Sequence, residues 1–235
     1  MKIKSILCVT AVVISLAVFS YLMLSSAQRV SLQVTAQPSK PMPNVLIDPG
    51  HGGEDGGAVS DDVLEKVINL SISHDTADLI KLFGFPVSMT RTTDDALTDE
   101  GDNVKARKYN DMKMRLEMYN SSKNNVILSI HQNKFSNSQS HGAQMFYSPN
   151  NPNSALLAES IRFSVFSALQ PENERECKAA GKEIYLLKNT TNPAVIVECG
   201  FISNQAEREK LVTEEYQKDI ALTIVTGFID YYNTN

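Results

Sequence analysis

Four ionisable side chains stand where this sequence could do chemistry: His51, Glu65, His131 and Glu198. His51 lies in Asp48-Pro49-Gly50-His51-Gly52-Gly53, directly after the apolar run Val45-Leu46-Ile47. Glycines there permit positive φ and close approach to the backbone. An imidazole presented by such a turn can ligate a metal or move protons. His131 closes a second apolar run that starts at Val126, and Glu198 sits inside Val195-Ile196-Val197-Glu198-Cys199. A carboxylate in such a run is costly to bury without a partner and marks a site. Glu65 follows the glycine turn at the expected start of a helix. Two histidines and one carboxylate form a catalytic zinc set that leaves a position for water. A further carboxylate beside the metal then serves as general base. Glu65 also suits a plain acid at a helix N-terminus, favoured by the dipole. The glycine pattern fits neither the dinucleotide fingerprint nor the P-loop.

Weaker candidates surround these four. Arg91 closes the second expected strand, where it can order a carboxylate, contact substrate or serve structure alone. Asn133, two residues past His131, is placed to hydrogen-bond a ligand from behind. His74, in mid-helix, and His141, in a polar loop, read as surface residues. The acids between Thr92 and Asn103 lack EF-hand spacing and read as a solvated loop.

The elements that must position these groups alternate along the chain. Val45–Asp48, Pro86–Thr90, Val126–His131, Ala143–Tyr147, Ile184–Leu187 and Ala194–Cys199 read as strands. Leu64, Ile68, Ile72, Leu79 and Phe83 mark one face of a helix that Gly84 ends. Lys105–Ser122, Ser154–Leu169 with Ser154 as N-cap, and Glu214–Tyr232 complete the helices. This order implies an α/β fold: a single domain with a twisted, mainly parallel sheet of about six strands flanked by helices. Parallel strands would carry His51, His131 and Glu198 to one sheet edge, where such folds bind ligands.

The composition is that of a globular chain of 235 residues, with 42% hydrophobic and 21% charged residues and a net charge of −5. No basic stripe interleaved with aromatics points to nucleic acid. Lys2 and Lys4 precede the uncharged segment Ser5–Gln28. Residues 1–27 therefore read as a membrane helix, either a signal anchor or a cleaved signal peptide, with the rest exported. Residues 28–43 carry Pro38, Pro41 and Pro43 and read as a linker. Residues 44–235 form the domain. Cys177 and Cys199 are expected as free thiols, the second as a small core residue.

Taken together, several segments resemble one family. They are Val45 to Gly53, Leu64-Glu65-Lys66, Met89-Thr90-Arg91, Ser129 to Asn133, and Pro193 to Asn204. In this order they are similar to the zinc-dependent N-acetylmuramoyl-L-alanine amidases sometimes called amidase-3. The resemblance implies one Zn2+ held by His51, Glu65 and His131, with Glu198 as the catalytic glutamate. It implies hydrolysis of the amide between N-acetylmuramic acid and L-alanine in peptidoglycan. The short connection Ser148 to Asn153 leaves no room for the blocking helix that the cell-division amidases of Gram-negative bacteria carry there. A short, anchored member looks like the germination-specific amidases of spore-forming bacteria. That likeness implies a role in cortex muramic-δ-lactam formation, a partner deacetylase, and an exported accessory protein as a further partner. The competing readings are a general autolysin or cell-separation amidase, a zinc peptidase within the stem peptide, and a non-catalytic peptidoglycan-binding protein.

Overall fold

A computed structural model describes residues 41–235, and the expected membrane helix and most of the linker lie outside the described residues. Among the described residues no helix is long and apolar enough to cross a membrane. Six strands form one sheet: β1 (Asn44–Pro49), β4 (Val87–Met89), β5 (Asn125–Asn133), β6 (Gln144–Tyr147), β7 (Lys178–Ala179) and β8 (Ala194–Phe201). Their spatial order is β4-β1-β5-β8-β6-β7. β1 runs parallel to β4 and β5, and β5 runs parallel to β8. β6 pairs antiparallel with β8, so the sheet is mixed at that edge. A separate hairpin joins β2 (Val59–Ser60) to β3 (Val63–Leu64).

Alternation along the strands assigns the two faces. Val45, Ile47, Leu128, Ile130, Val195 and Val197 pack into one core with α1 (Glu65–Leu82), α3 (Pro152–Ala168) and α6 (Glu214–Thr234). Leu46, Ile127 and Ile196 pack on the other face. That face is covered by α2 (Val104–Asn120) and α4 (Tyr185–Asn189). The remaining helix, α5 (Gln205–Leu211), follows β8.

Two expectations need correction. Ile184–Leu187 is not a strand; it lies at and within the short helix α4, where Leu186 and Leu187 are buried. Four consecutive apolar residues carry no period, so a buried helical turn and a buried strand look alike in sequence. The sixth strand is instead β7, two residues too short to leave a pattern. Ser154 is not the cap of α3. Asn151 caps it, Pro152 occupies the first turn, and Ser154 Oγ accepts the Ala194 N–H. Cys177 and Cys199 are free, as expected.

Candidate metal centre

The carboxyl ends of β1 and β5 carry the two histidines to neighbouring places. The parallel register pairs Pro49 with Ile130, and the Gly50 N–H donates to the Ile130 carbonyl. His51 then turns out of the strand with a φ of 64°. The two imidazoles stand edge to face with centroids 5.1 Å apart. Gly50 makes this possible: a Cβ there would lie 2.2 Å from the His131 ring.

Glu65 opens α1 directly after the hairpin and is buried. Its Oε1 lies 3.0 Å from His131 Nδ1, and its Oε2 lies 3.3 Å from His51 Nε2. Backbone and side-chain donors hold the same carboxylate. Gln132 N–H and Asn69 Nδ2 donate to Oε1, and Ala58 N–H donates to Oε2 at 2.7 Å. Gly57 leaves the space, because a Cβ there would lie 2.6 Å from Glu65 Oε2. One ligand atom each from His51, Glu65 and His131 lies within 4.8 Å of the others. Two imidazoles and a fixed carboxylate are a fitting donor set for a single zinc ion.

Glu198 pairs in register with His131 across β5 and β8. Its Oε2 is buried and accepts no hydrogen bond among the described residues. Burial is the largest influence on this carboxyl. With the nearby Glu65 charge it outweighs the two histidines and pushes the pKa up to about 7. An orphaned acid beside a donor set is poised for proton transfer near neutral pH.

Residues that the sequence did not flag complete the support. Asp55 Oδ2 bonds His51 Nδ1 at 2.8 Å, which leaves Nε2 facing Glu65. A carboxylate in this place orients a ligating imidazole. Asp48, fully buried, accepts from Thr90, Tyr119 and Ser129 and pairs with Arg115. Arg115 also donates to the carbonyls of Pro49 at 2.8 Å and His51 at 2.6 Å. Burial alone would raise the Asp48 pKa, but Arg115 and these hydrogen bonds hold it far below the usual carboxylate range. Asp55 left a local signal as an acid four residues past His51, and so did Asn69, at i+4 from Glu65 on one helix face.

Arg91 is buried and donates to the carbonyls of Pro49, Gly50, Lys66 and Thr93. It holds the glycine turn and makes no ion pair with a site carboxylate among the described residues. Asn133 lies past a shift in the β5–β8 register, where its carbonyl accepts the Ile202 N–H. Its side chain bonds none of His51, Glu65 or His131. His74 and His141 stand apart, each bonded to a loop carbonyl.

As a metal ligand, His51 would make metal uptake pH-dependent. Burial disfavours its charged form, but the hydrogen bonds and charges of Asp55 and Glu65 outweigh this and raise its pKa to about 9. In the metal-free protein the ring is charged at neutral pH, and a metal must displace its proton. The stabilisation from the charged ring is complete below the unfolded value and is lost as pH rises through about 9. Metal affinity is therefore expected to rise by about tenfold per pH unit from neutrality and to level off above that pKa. Chelator competition at a series of pH values measures this. A flat profile between pH 7 and 9 rules out a charged His51 as a ligand.

A cavity of about 270 Å³ opens beside the histidines. Lys108 and Met112 of α2 line it on one side, and Glu183, Ile184 and Tyr185 line it on another.

Comparison with known proteins places this arrangement. Residues 45–230 match the family model Amidase_3, described as N-acetylmuramoyl-L-alanine amidase. The chain is 33% identical over 189 residues to the germination-specific N-acetylmuramoyl-L-alanine amidase of Bacillus subtilis, covering 80% of this chain and 79% of that one. It superposes with a TM-score of 0.79 and 36% identity on the CwlD amidase of Clostridioides difficile, solved in complex with the GerS lipoprotein. That match covers 82% of this chain and 100% of the other. An N-acetylmuramoyl-L-alanine amidase from Clostridium difficile 630 gives a TM-score of 0.71 at 27% identity, over 83% of this chain and 100% of that one.

Proposed function

This chain belongs to the Amidase_3 family of N-acetylmuramoyl-L-alanine amidases, and from that premise we propose that His51, Glu65 and His131 bind one zinc ion with Glu198 as the catalytic base. The observation that carries the reading is the convergence of those three donors, with the orphaned Glu198 carboxyl in register beside His131. The activity is hydrolysis of the bond between N-acetylmuramic acid and L-alanine in the cell wall.

When bound, zinc supplies a Lewis acid that polarises the amide carbonyl and makes water more acidic. The protein groups do the rest. Asp55 fixes the His51 tautomer. Gln132, Asn69 and Ala58 fix the Glu65 carboxylate. Glu198 takes a proton from the attacking water and returns it to the departing alanine nitrogen, which leaves as a free amine.

The proposed setting is the spore cortex, outside the cytoplasmic membrane. The likeness to the germination-specific enzyme supports it. So does the short link from β6 to α3, where Tyr147 ends one element and Pro152 begins the next. In that setting residues 1–27 deliver the domain across the membrane, a deacetylase acts on the bared sugar, and an exported lipoprotein is a fitting accessory partner. The last point rests on the complex known for the Clostridioides difficile amidase.

The zinc-loaded protein is expected to release stem peptides with a free N-terminal L-alanine from purified peptidoglycan and to leave the glycan intact. Mass spectrometry of the digest reads this directly. Cuts within the stem would make it a peptidase, and binding without products would make it a wall-binding protein. His131→Ala should lose zinc on dialysis. Unchanged zinc content in that variant would remove His131 from the ligand set.

A further inference from the structure

The cavity beside the metal centre carries charge, and that property selects which half of the substrate it can hold. Lys108 reaches it from α2, with its side chain 45% exposed. Its Nζ lies 2.6 Å from Asp55 Oδ1, while the other oxygen of Asp55 holds His51. An ammonium group has three donors, and Asp55 takes one. Glu183 contributes an opposite charge to the same cavity, and Tyr185 leans on Tyr109 with ring centroids 6.0 Å apart.

Within the substrate, charge is confined to the peptide. The sugars are neutral, and the lactyl carboxyl of muramic acid is consumed in the scissile amide. The second stem residue is a D-glutamate joined to the third through its side-chain carboxyl, so its α-carboxylate remains free. Given about 3.8 Å between consecutive Cα atoms, that carboxylate lies roughly 7 Å beyond the scissile bond. Lys108 lines the same cavity as His51 and His131 and stands one carboxylate beyond His51, through Asp55.

We propose that this cavity is the stem-peptide subsite and that Lys108 is the residue that recognises the free α-carboxylate of the second stem residue. This rests on the amidase reading and adds to it the orientation of the substrate. It also assigns a preference: a stem whose α-carboxyl is amidated offers Lys108 no charge and is a poorer substrate. Charged hydrogen bonds are among the stronger polar contacts, so the preference is expected to be about tenfold.

The test uses the zinc-loaded protein and two probes. They are N-acetylmuramoyl-L-alanyl-D-glutamate and its α-amide, both with the side-chain carboxyl capped as in the stem. Wild type should cleave the acid about tenfold better in kcat/KM. In Lys108→Met the ratio should fall toward one, while Lys108→Arg should keep most of it. A role of Lys108 in merely steadying Asp55 would slow both probes alike and leave the ratio unchanged. An equal rate on both probes in wild type, or an unchanged ratio in Lys108→Met, overturns the proposal. Calorimetry with the two released dipeptides gives the same ratio without turnover. A binding preference that Lys108→Met removes, in a protein that cleaves neither probe, would sustain the subsite while ending the amidase reading.

Discussion

Glu198→Gln is expected to lower turnover by on the order of 10²–10⁴-fold while zinc stays bound. The substitution keeps the shape of the side chain and removes only its capacity to take a proton. Glu198 is not among the donors that cluster around Glu65, so metal content should not change. Its Oε2 has no hydrogen-bond partner to lose. Stability provides an independent readout on the metal-free protein. Burial raises this carboxyl's pKa to about 7 in the fold, above its ordinary value. The folded state thus binds the proton more tightly, and wild type loses stability as pH climbs through that range. The glutamine variant has no such loss. It should match or exceed wild type at pH 8, and its advantage should fade as the medium becomes acid. Zinc analysis, muropeptide release and denaturation at two pH values read all of this. Full activity in the variant would remove Glu198 from the mechanism.

Arg115→Met should cost about 3–5 kcal/mol of stability, the penalty for leaving a buried charge without its partner. Arg115 and Asp48 are both almost wholly enclosed. Without the guanidinium, Asp48 keeps only the hydroxyl donors of Thr90, Tyr119 and Ser129. The damage should reach the metal centre as well. Arg115 holds the Pro49 and His51 carbonyls, and with Arg91 it fixes the turn that keeps His51 at positive φ. Loss of such support is expected to weaken metal binding by about 10–100-fold. Arg115→Lys should recover only part of either loss, because an ammonium cannot span several acceptors as the planar fork does. Urea denaturation of the metal-free protein separates the fold's loss from the metal's. A cost under about 1 kcal/mol would mean that water or a rearranged side chain replaces the guanidinium.

Much of the fold was legible because its central strands are short, apolar and separated by helical periods. β1, β5 and β8 are buried on both faces and read as continuous apolar runs. α1 shows its buried stripe through Ile68 and Ile72, but Ile80 continues it in place of the expected Leu79 and Phe83, and Phe83 is exposed past the helix end. Elements that lack such a period were not legible. β7 has two residues, and the hairpin β2–β3 has two in each strand. α4 offers one apolar run without periodicity, and only its packing under Tyr119 and Ile127 decides that it coils.

The site divides in the same way. Residue type and position near strand ends marked His51, His131 and Glu198, because an ionisable group in an apolar run is costly unless it has work to do. Glu65 was marked by its place at a helix start after a glycine turn. What no linear pattern contained is distance across the chain. Arg115 under the turn and Lys108 at the cavity wall acquire their roles only when α2 meets the turn after β1. Sequence alone determined the donor types and the strands that bear them, since composition and period are local properties. Tertiary structure alone decided which carboxylate faces both imidazoles and which stands beside them without a partner, because that choice depends on parallel register and on the direction in which α1 leaves the hairpin.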